Sequence, residues 1–305
     1  MQIPTKTPLA EFIRISSWPN LLAGAFLYAL GAGIVVFRGE LFNWANFWLG
    51  LAMVILLLLS SFYLTEYYTR LQNPPRRRGN LPTGKPEDEN TVLTRNTFLL
   101  AAVTTLTAGA MITVLLFSAG AFNPTVLLVL GLAFLMAYIY AVPPFRLVYS
   151  GYGEIIMAII LTNLIPALGF ILQTGEMSDL LGTLTFPITA LYLAMILAVS
   201  LETYYADIKA GRQNLMIRLG WQRGMVFHNL LILVASLLVG IGAVVGVASA
   251  LIWPKLLTLP IGLFQAWQIW QISRGAKPRW NLLKITAYAT FAITLYLQTF
   301  TLWVG

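Results

Sequence analysis

Long uninterrupted apolar runs dominate this chain and leave it few ways to fold. Nine can be marked: Pro19 to Phe37, Trp44 to Tyr63, Thr97 to Phe117, Thr125 to Val142, Glu154 to Leu172, Phe186 to Leu201, Met225 to Ala248, Leu251 to Ile272 and Leu282 to Val304. A helix crossing a bilayer needs about 20 mostly apolar residues. Only helices and closed barrels satisfy every backbone polar group inside lipid. Barrel strands alternate with period two, and these runs do not alternate. The expected fold is all-α: a polytopic membrane protein of about nine transmembrane helices, with residues 1–305 as a single domain. The seventh and eighth runs are divided at Trp253-Pro254-Lys255, read as a short interfacial break. Composition agrees, since 58% of residues are hydrophobic and 10% charged, against about 25% charged in a soluble domain. The opening MQIPTKTPLAEFIRISSWPN lacks an apolar core followed by a small-residue cleavage site, so no cleavable signal peptide is expected.

The charges give an expected orientation. With the N-terminus inside, 17 of the 19 basic residues fall on the inner side and only Arg38 and Lys255 outside, a strong positive-inside bias. The N-terminus and every long polar loop are then cytoplasmic, and the cell's inner membrane is the expected location. The net charge of +8 reads as a topology signal, and its dispersal over short loops argues against a nucleic-acid partner. The chain has no cysteine and one histidine, His228, which excludes disulfides, thiolate metal sites and a multi-histidine centre.

Two polar segments interrupt the apolar pattern. In the first, Thr65 to Asn90, Thr65, Thr69 and Asn73 fall on one helical face, with Glu66 and Arg70 on a neighbouring stripe. Pro74-Pro75 ends that helix, and Arg76, Arg77 and Arg78 lead into a turn-rich loop ending at Lys85. In the second, Leu201 to Gly220, Thr203 and Asp207 are four apart, Glu202 and Asp207 five apart, and Gly211 is a helix stop beside Arg212. Between them lies a turn, Tyr140-Ala-Val-Pro-Pro-Phe-Arg146-Leu147, followed by Gly151-Tyr-Gly-Glu154.

Taken in order, Arg14 to Leu22, Asn80 to Lys85, Tyr140 to Leu147 and Asp207 to Gly220 resemble the motifs of the UbiA family of intramembrane prenyltransferases over nearly the whole chain. The resemblance implies a helical bundle around a central cavity open to lipid. It implies transfer of a prenyl group from a polyprenyl diphosphate to a hydrophobic acceptor, such as an aromatic quinone precursor or a tetrapyrrole. It also implies magnesium as cofactor, prenyl diphosphate, acceptor and membrane lipid as partners, and no nucleic acid. Carried over by position, Glu66, Asp207 and Tyr140 are the expected catalytic residues. Asn20, Arg70, Asn73, Lys85, Arg146 and Arg212 are expected to bind substrate, and Glu66, Asn73, Glu202 and Asp207 to hold metal.

The chain departs from the family where the aspartate-rich metal motifs belong. The first reads Thr65-Glu66-Tyr67-Tyr68-Thr69-Arg70-Leu71-Gln72-Asn73, and the second Thr203-x-x-x-Asp207. Threonine and asparagine offer neutral oxygens that do not balance a dication. Glu66, Asp207 and Glu202 leave enough carboxylate for one magnesium held with a diphosphate, and the number of ions stays open. The departures motivate a second reading, a catalytically lapsed relative that binds or presents isoprenoid lipids. A transporter ranks last, because the polar groups gather at one face rather than at the midplane. Plainer roles are expected elsewhere: Arg76 to Arg78 as an anchor at anionic lipid, Glu87 to Glu89 as solvated loop, His228 in packing, and the pairs Tyr67-Tyr68 and Tyr204-Tyr205 as interfacial belt.

Overall fold

The chain folds as the apolar runs demand, into long helices with short connections. A computed structural model describes residues 8–72 and 93–305, and every regular element among them is helical. They are α1 (Pro8–Ile15), α2 (Trp18–Phe37), α3 (Trp44–Gln72), α4 (Arg95–Ser118), α5 (Pro124–Ala141), α6 (Gly153–Ile159), α7 (Ile165–Thr174), α8 (Asp179–Lys209), α9 (Leu215–Leu219), α10 (Trp221–Val244), α11 (Ser249–Ser273) and α12 (Trp280–Val304). A π-helical stretch, Ile160–Leu164, joins α6 to α7 as one rod. Asn73, Arg76 to Arg78, Lys85 and Glu87 to Glu89 lie outside the described residues.

Among the described residues, eight helices are long and apolar enough to cross a membrane, with Gly153–Thr174 counted as one. The ninth expected span, α11, is 25 residues long but less apolar. Its polar side chains turn inward: Thr258 pairs with Thr294 at 2.7 Å, Gln265 accepts from Thr290 at 3.2 Å, and Gln268 donates to Thr286 at 3.1 Å, all on α12. Hydrogen bonds between helices replace the water those groups would otherwise need. The break before α11 also differs from expectation. It falls at Gly246, which has φ +92°, while Trp253-Pro254-Lys255 lies inside the helix.

Two spans run further than their apolar cores. α3 continues through Thr65 and Arg70 to Gln72, because a helix carries a polar turn beyond the lipid without breaking. α8 starts at Asp179, where the Ser178 hydroxyl accepts the Leu180 N–H, and absorbs Pro187 in its interior. The π stretch precedes Pro166, which lacks an N–H for the regular ladder; such bulges are a common accommodation.

The rod of α6 and α7 lies deepest, with Ile165 to Leu172 all buried. α2 packs on α7 so closely that a methyl at Gly31 would overlap the Pro166 carbonyl. α12 closes the bundle against α2, where the Trp303 indole N–H donates to the Ala29 carbonyl at 2.9 Å. Pairings of α3 with α4, α8 with α10, and α12 with α8 complete the body. This packing brings the C-terminal ends of α3, α5 and α8 and the start of α6 to one end of the bundle, the motif end.

Candidate functional site

Asp207 is the centre of the motif end. It is buried near the end of α8. The Thr203 hydroxyl donates to its Oδ2 at 2.7 Å, the Asn214 amide donates to the same oxygen at 3.3 Å, and the Arg212 guanidinium reaches Oδ1 at 3.3 Å. The backbone explains the convergence. α8 stops at Lys209, Gly211 takes φ +67°, and the Arg212 N–H folds back onto the Asp207 carbonyl at 2.9 Å. Asn214 then caps α9 by accepting the Ile217 N–H at 2.8 Å. Three neutral or cationic donors thus hold one carboxylate in place.

A second cluster joins α3 to the turn after α5. Arg146, in the left-handed region at φ 41°, donates to the Thr69 hydroxyl at 2.9 Å. The Tyr149 hydroxyl meets that of Thr69 at 2.7 Å, and the Arg146 guanidinium lies 4.4 Å from the Tyr149 ring centre. Arg218 of α9 ties this turn to the Asp207 cluster by donating to the Ser150 carbonyl at 2.9 Å while lying 4.0 Å from the Tyr152 ring centre. Tyr140 is half-buried at the end of α5, the helix that leads into this turn.

Other expected site residues are engaged elsewhere. All three guanidinium nitrogens of Arg70 have protein partners: Glu66 at 2.6 Å, the Leu93 carbonyl at 2.7 Å and Glu11 of α1 at 2.7 Å. The guanidinium also lies 4.4 Å from the Phe98 ring centre. Arg70, expected to bind substrate, is held by these contacts within the protein, and Glu66 has its charge matched by the same arginine. Glu202, expected to hold metal, stands apart from Asp207. Five helical residues turn it about 140° from Asp207, and it pairs with Lys284 of α12 at 2.8 Å. Among the described residues no three acidic or histidine side chains come together to hold a metal. His228 is buried between Gln265 and Asn229, each at 2.9 Å, a packing arrangement. The tyrosine pairs pack edge to face, and Tyr205 stacks on Trp221.

Asn20 opens onto a different feature, a groove of about 510 Å³ between α2, α8 and α12 walled by Phe26, Met195, Phe291 and Tyr296. Its polar end is Asn20, whose amide donates to Ser17 at 2.9 Å and accepts the Tyr192 hydroxyl at 3.4 Å. Tyr192, Asn214 and Arg218 went unmarked as site residues in the sequence. Asn214 and Arg218 carried a signal, because both lie within the Asp207-to-Gly220 motif. Tyr192 carried none, being one aromatic in an apolar run.

Magnesium is usually held by one or two carboxylates together with substrate phosphates. Asp207 supplies one such carboxylate, with the Thr203 hydroxyl, the Asn214 amide and the Arg212 guanidinium around it, and so meets that minimum for one ion.

Comparison with known proteins adds independent findings. Residues 90–296 match the UbiA prenyltransferase family. A stretch of 120 residues is 33% identical to the 2-carboxy-1,4-naphthoquinone phytyltransferase of Synechocystis sp., covering 39% of this chain and 38% of that relative's length. The fold is similar to that in a structural study of digeranylgeranylglyceryl phosphate synthase, with TM-score 0.63, 15% identity and 98% of both chains covered. It is also similar to a UbiA homologue from Archaeoglobus fulgidus bound to GPP and Mg2+, with TM-score 0.57, 17% identity and coverage of 91% of this chain and 97% of that one.

Proposed function

Since the chain belongs to the UbiA prenyltransferase family, we propose that it transfers a prenyl group from a prenyl diphosphate to a hydrophobic acceptor inside the membrane. The observation that carries this reading is the Asp207 cluster. It gathers one carboxylate, two neutral donors and a cation at the polar end of a multi-pass bundle. The Archaeoglobus homologue was captured with a prenyl diphosphate and magnesium, and the same ligands are inferred for this chain. The motif end is inferred to face the cytoplasm, in keeping with the distribution of basic residues.

Each part then has a task. Asp207 would hold one magnesium, and Thr203 and Asn214 fix the orientation of its carboxylate. Arg146 and Arg212 offset phosphate charge; Lys85 and Asn73, which lie outside the described residues, are assigned to the same substrate as a further cation and a neutral donor. Bound magnesium neutralises charge on the departing diphosphate. The groove walled by Phe26, Met195 and Phe291 takes the prenyl chain, and Tyr140 and Tyr192 line the space where an allylic cation would be shielded from water. The acceptor is inferred to be a bicyclic quinone precursor, on the strength of the cyanobacterial relative's name.

Membranes containing the protein are expected to transfer labelled phytyl or geranylgeranyl groups from the diphosphate to a naphthoquinol acid. Chelating divalent metal should abolish the transfer and magnesium should restore it. A second reading, a lapsed lipid-binding protein, is favoured by one observation: Glu66, Glu202 and Asp207 are each paired with a basic residue. It predicts prenyl-lipid binding that survives chelation and no transfer to any acceptor in a broad panel.

A further inference from the structure

Beside the Asp207 cluster lies a second carboxylate that the functional reading leaves without a task. Glu154 opens α6 just after a turn that lies against the Asp207 cluster: a methyl at Gly151 would meet the Asn214 carbonyl at 3.2 Å, and Arg218 donates to the Ser150 carbonyl at 2.9 Å. The Glu154 Oε2 is inaccessible to water and has no hydrogen-bond partner among the described residues. A buried acceptor left unpaired is costly, and native structures rarely tolerate one without a reason. α6 packs on α5, which carries Tyr140, and on α8, which carries Tyr192 and Asp207. Tyr192 also forms the inner end of the groove, through its bond to Asn20. Glu154 therefore stands on an element packed against those that carry both the prenyl groove and the diphosphate site.

We propose that Glu154 binds a hydroxyl of the acceptor and takes its proton as the new bond forms. This rests on the prenyl-transfer reading and adds to it a requirement on the acceptor, which must carry a hydroxyl. The donor's allylic C–O bond breaks and diphosphate leaves with the electron pair. The acceptor's π electrons form the bond to the allylic carbon, its hydroxyl oxygen becomes a ring ketone, and the hydroxyl proton passes to Glu154. Loss of a proton or of carbon dioxide from the substituted ring carbon restores the aromatic ring, and Glu154 returns its proton to the oxygen. Where the hydroxyl oxygen itself attacks, the proton reaches Glu154 in the same way. Burial of the carboxylate oxygen keeps water from competing for the proton.

The test uses the full-length protein in membranes, with labelled phytyl diphosphate as donor and the quinol of 2-carboxy-1,4-naphthoquinone as acceptor. Glu154→Gln keeps the shape and removes the base, so kcat should fall about 100-fold or more. Mg2+-dependent binding of a non-reactive phytyl diphosphate analogue should stay within about twofold of the native protein. Glu154→Asp should recover a measurable part of kcat. Native-like kcat in Glu154→Gln would overturn the proposal, and so would equal losses of donor binding and kcat in both variants, which mark a structural role. No transfer by the native protein would instead overturn the prenyl-transfer reading itself, a result separate from either.

Discussion

Replacing Asp207 with asparagine is expected to lower prenyl transfer by at least about 10²–10³-fold, the range seen when one preorganised electrostatic contact to a developing charge is removed. The substitution is nearly isosteric. The Thr203 hydroxyl at 2.7 Å retains an oxygen to donate to, and Asn214 still caps α9 through the Ile217 N–H. What disappears is the negative charge that a hard dication requires. The companion change, Glu202→Gln, is expected to leave turnover within about twofold. Its carboxylate pairs with Lys284 on the side of α8 away from Asp207, and pairs as exposed as this one contribute about 0.2–1 kcal/mol. Initial rates of labelled prenyl transfer in membranes with matched protein content check both. If Glu202→Gln lost as much activity as Asp207→Asn, the division between the two carboxylates would be wrong.

The second large effect is on stability. Arg70→Ala is expected to destabilise the protein by about 3–5 kcal/mol, the usual cost of stranding a buried charge by removing its partner. Glu11 is 5% exposed, and Arg70 at 2.7 Å is its ion-pair partner among the described residues. Losing that pair also loosens the seat of α1. Phe12 packs on Tyr63 and Phe98 with ring centres 5.5 and 5.6 Å apart, and the Ser16 hydroxyl meets that of Tyr63 at 2.9 Å. The double variant Glu11→Gln/Arg70→Met should recover much of the loss, because neither charge is then left alone. Thermal unfolding of purified protein in detergent, with and without the second change, measures this coupling. A single variant as stable as the native protein would show that α1 docks by apolar contact alone.

The parts of this fold that were legible in the sequence are those set by local pattern. Apolar runs of membrane-crossing length marked the long helices, because a backbone in lipid has no alternative to helix. The pairing of Thr203 with Asp207 followed from four-residue spacing, and the helix stop at Gly211 from its freedom to take φ +67°. Pairs between distant residues were not legible. Glu66 and Arg70 are four apart, but Glu11 joins them only because α1 folds back onto α3. Glu202 looked available for metal until α12 placed Lys284 beside it. The π stretch before Pro166 and the polar seam between α11 and α12 depend on packing, which no single segment encodes. Glu154 was visible in Gly151-Tyr-Gly-Glu154, yet its buried, unpaired oxygen depends on how α6 packs against the rest of the bundle.

The most direct measurement is equilibrium binding of a non-reactive geranylgeranyl diphosphate analogue to the native protein as magnesium is titrated. With Asp207 as the carboxylate of a site shared by metal and diphosphate, affinity should rise at least tenfold with magnesium, and that rise should vanish in Asp207→Asn. Binding that ignores magnesium, or a magnesium effect that persists in Asp207→Asn, would contradict the assignment.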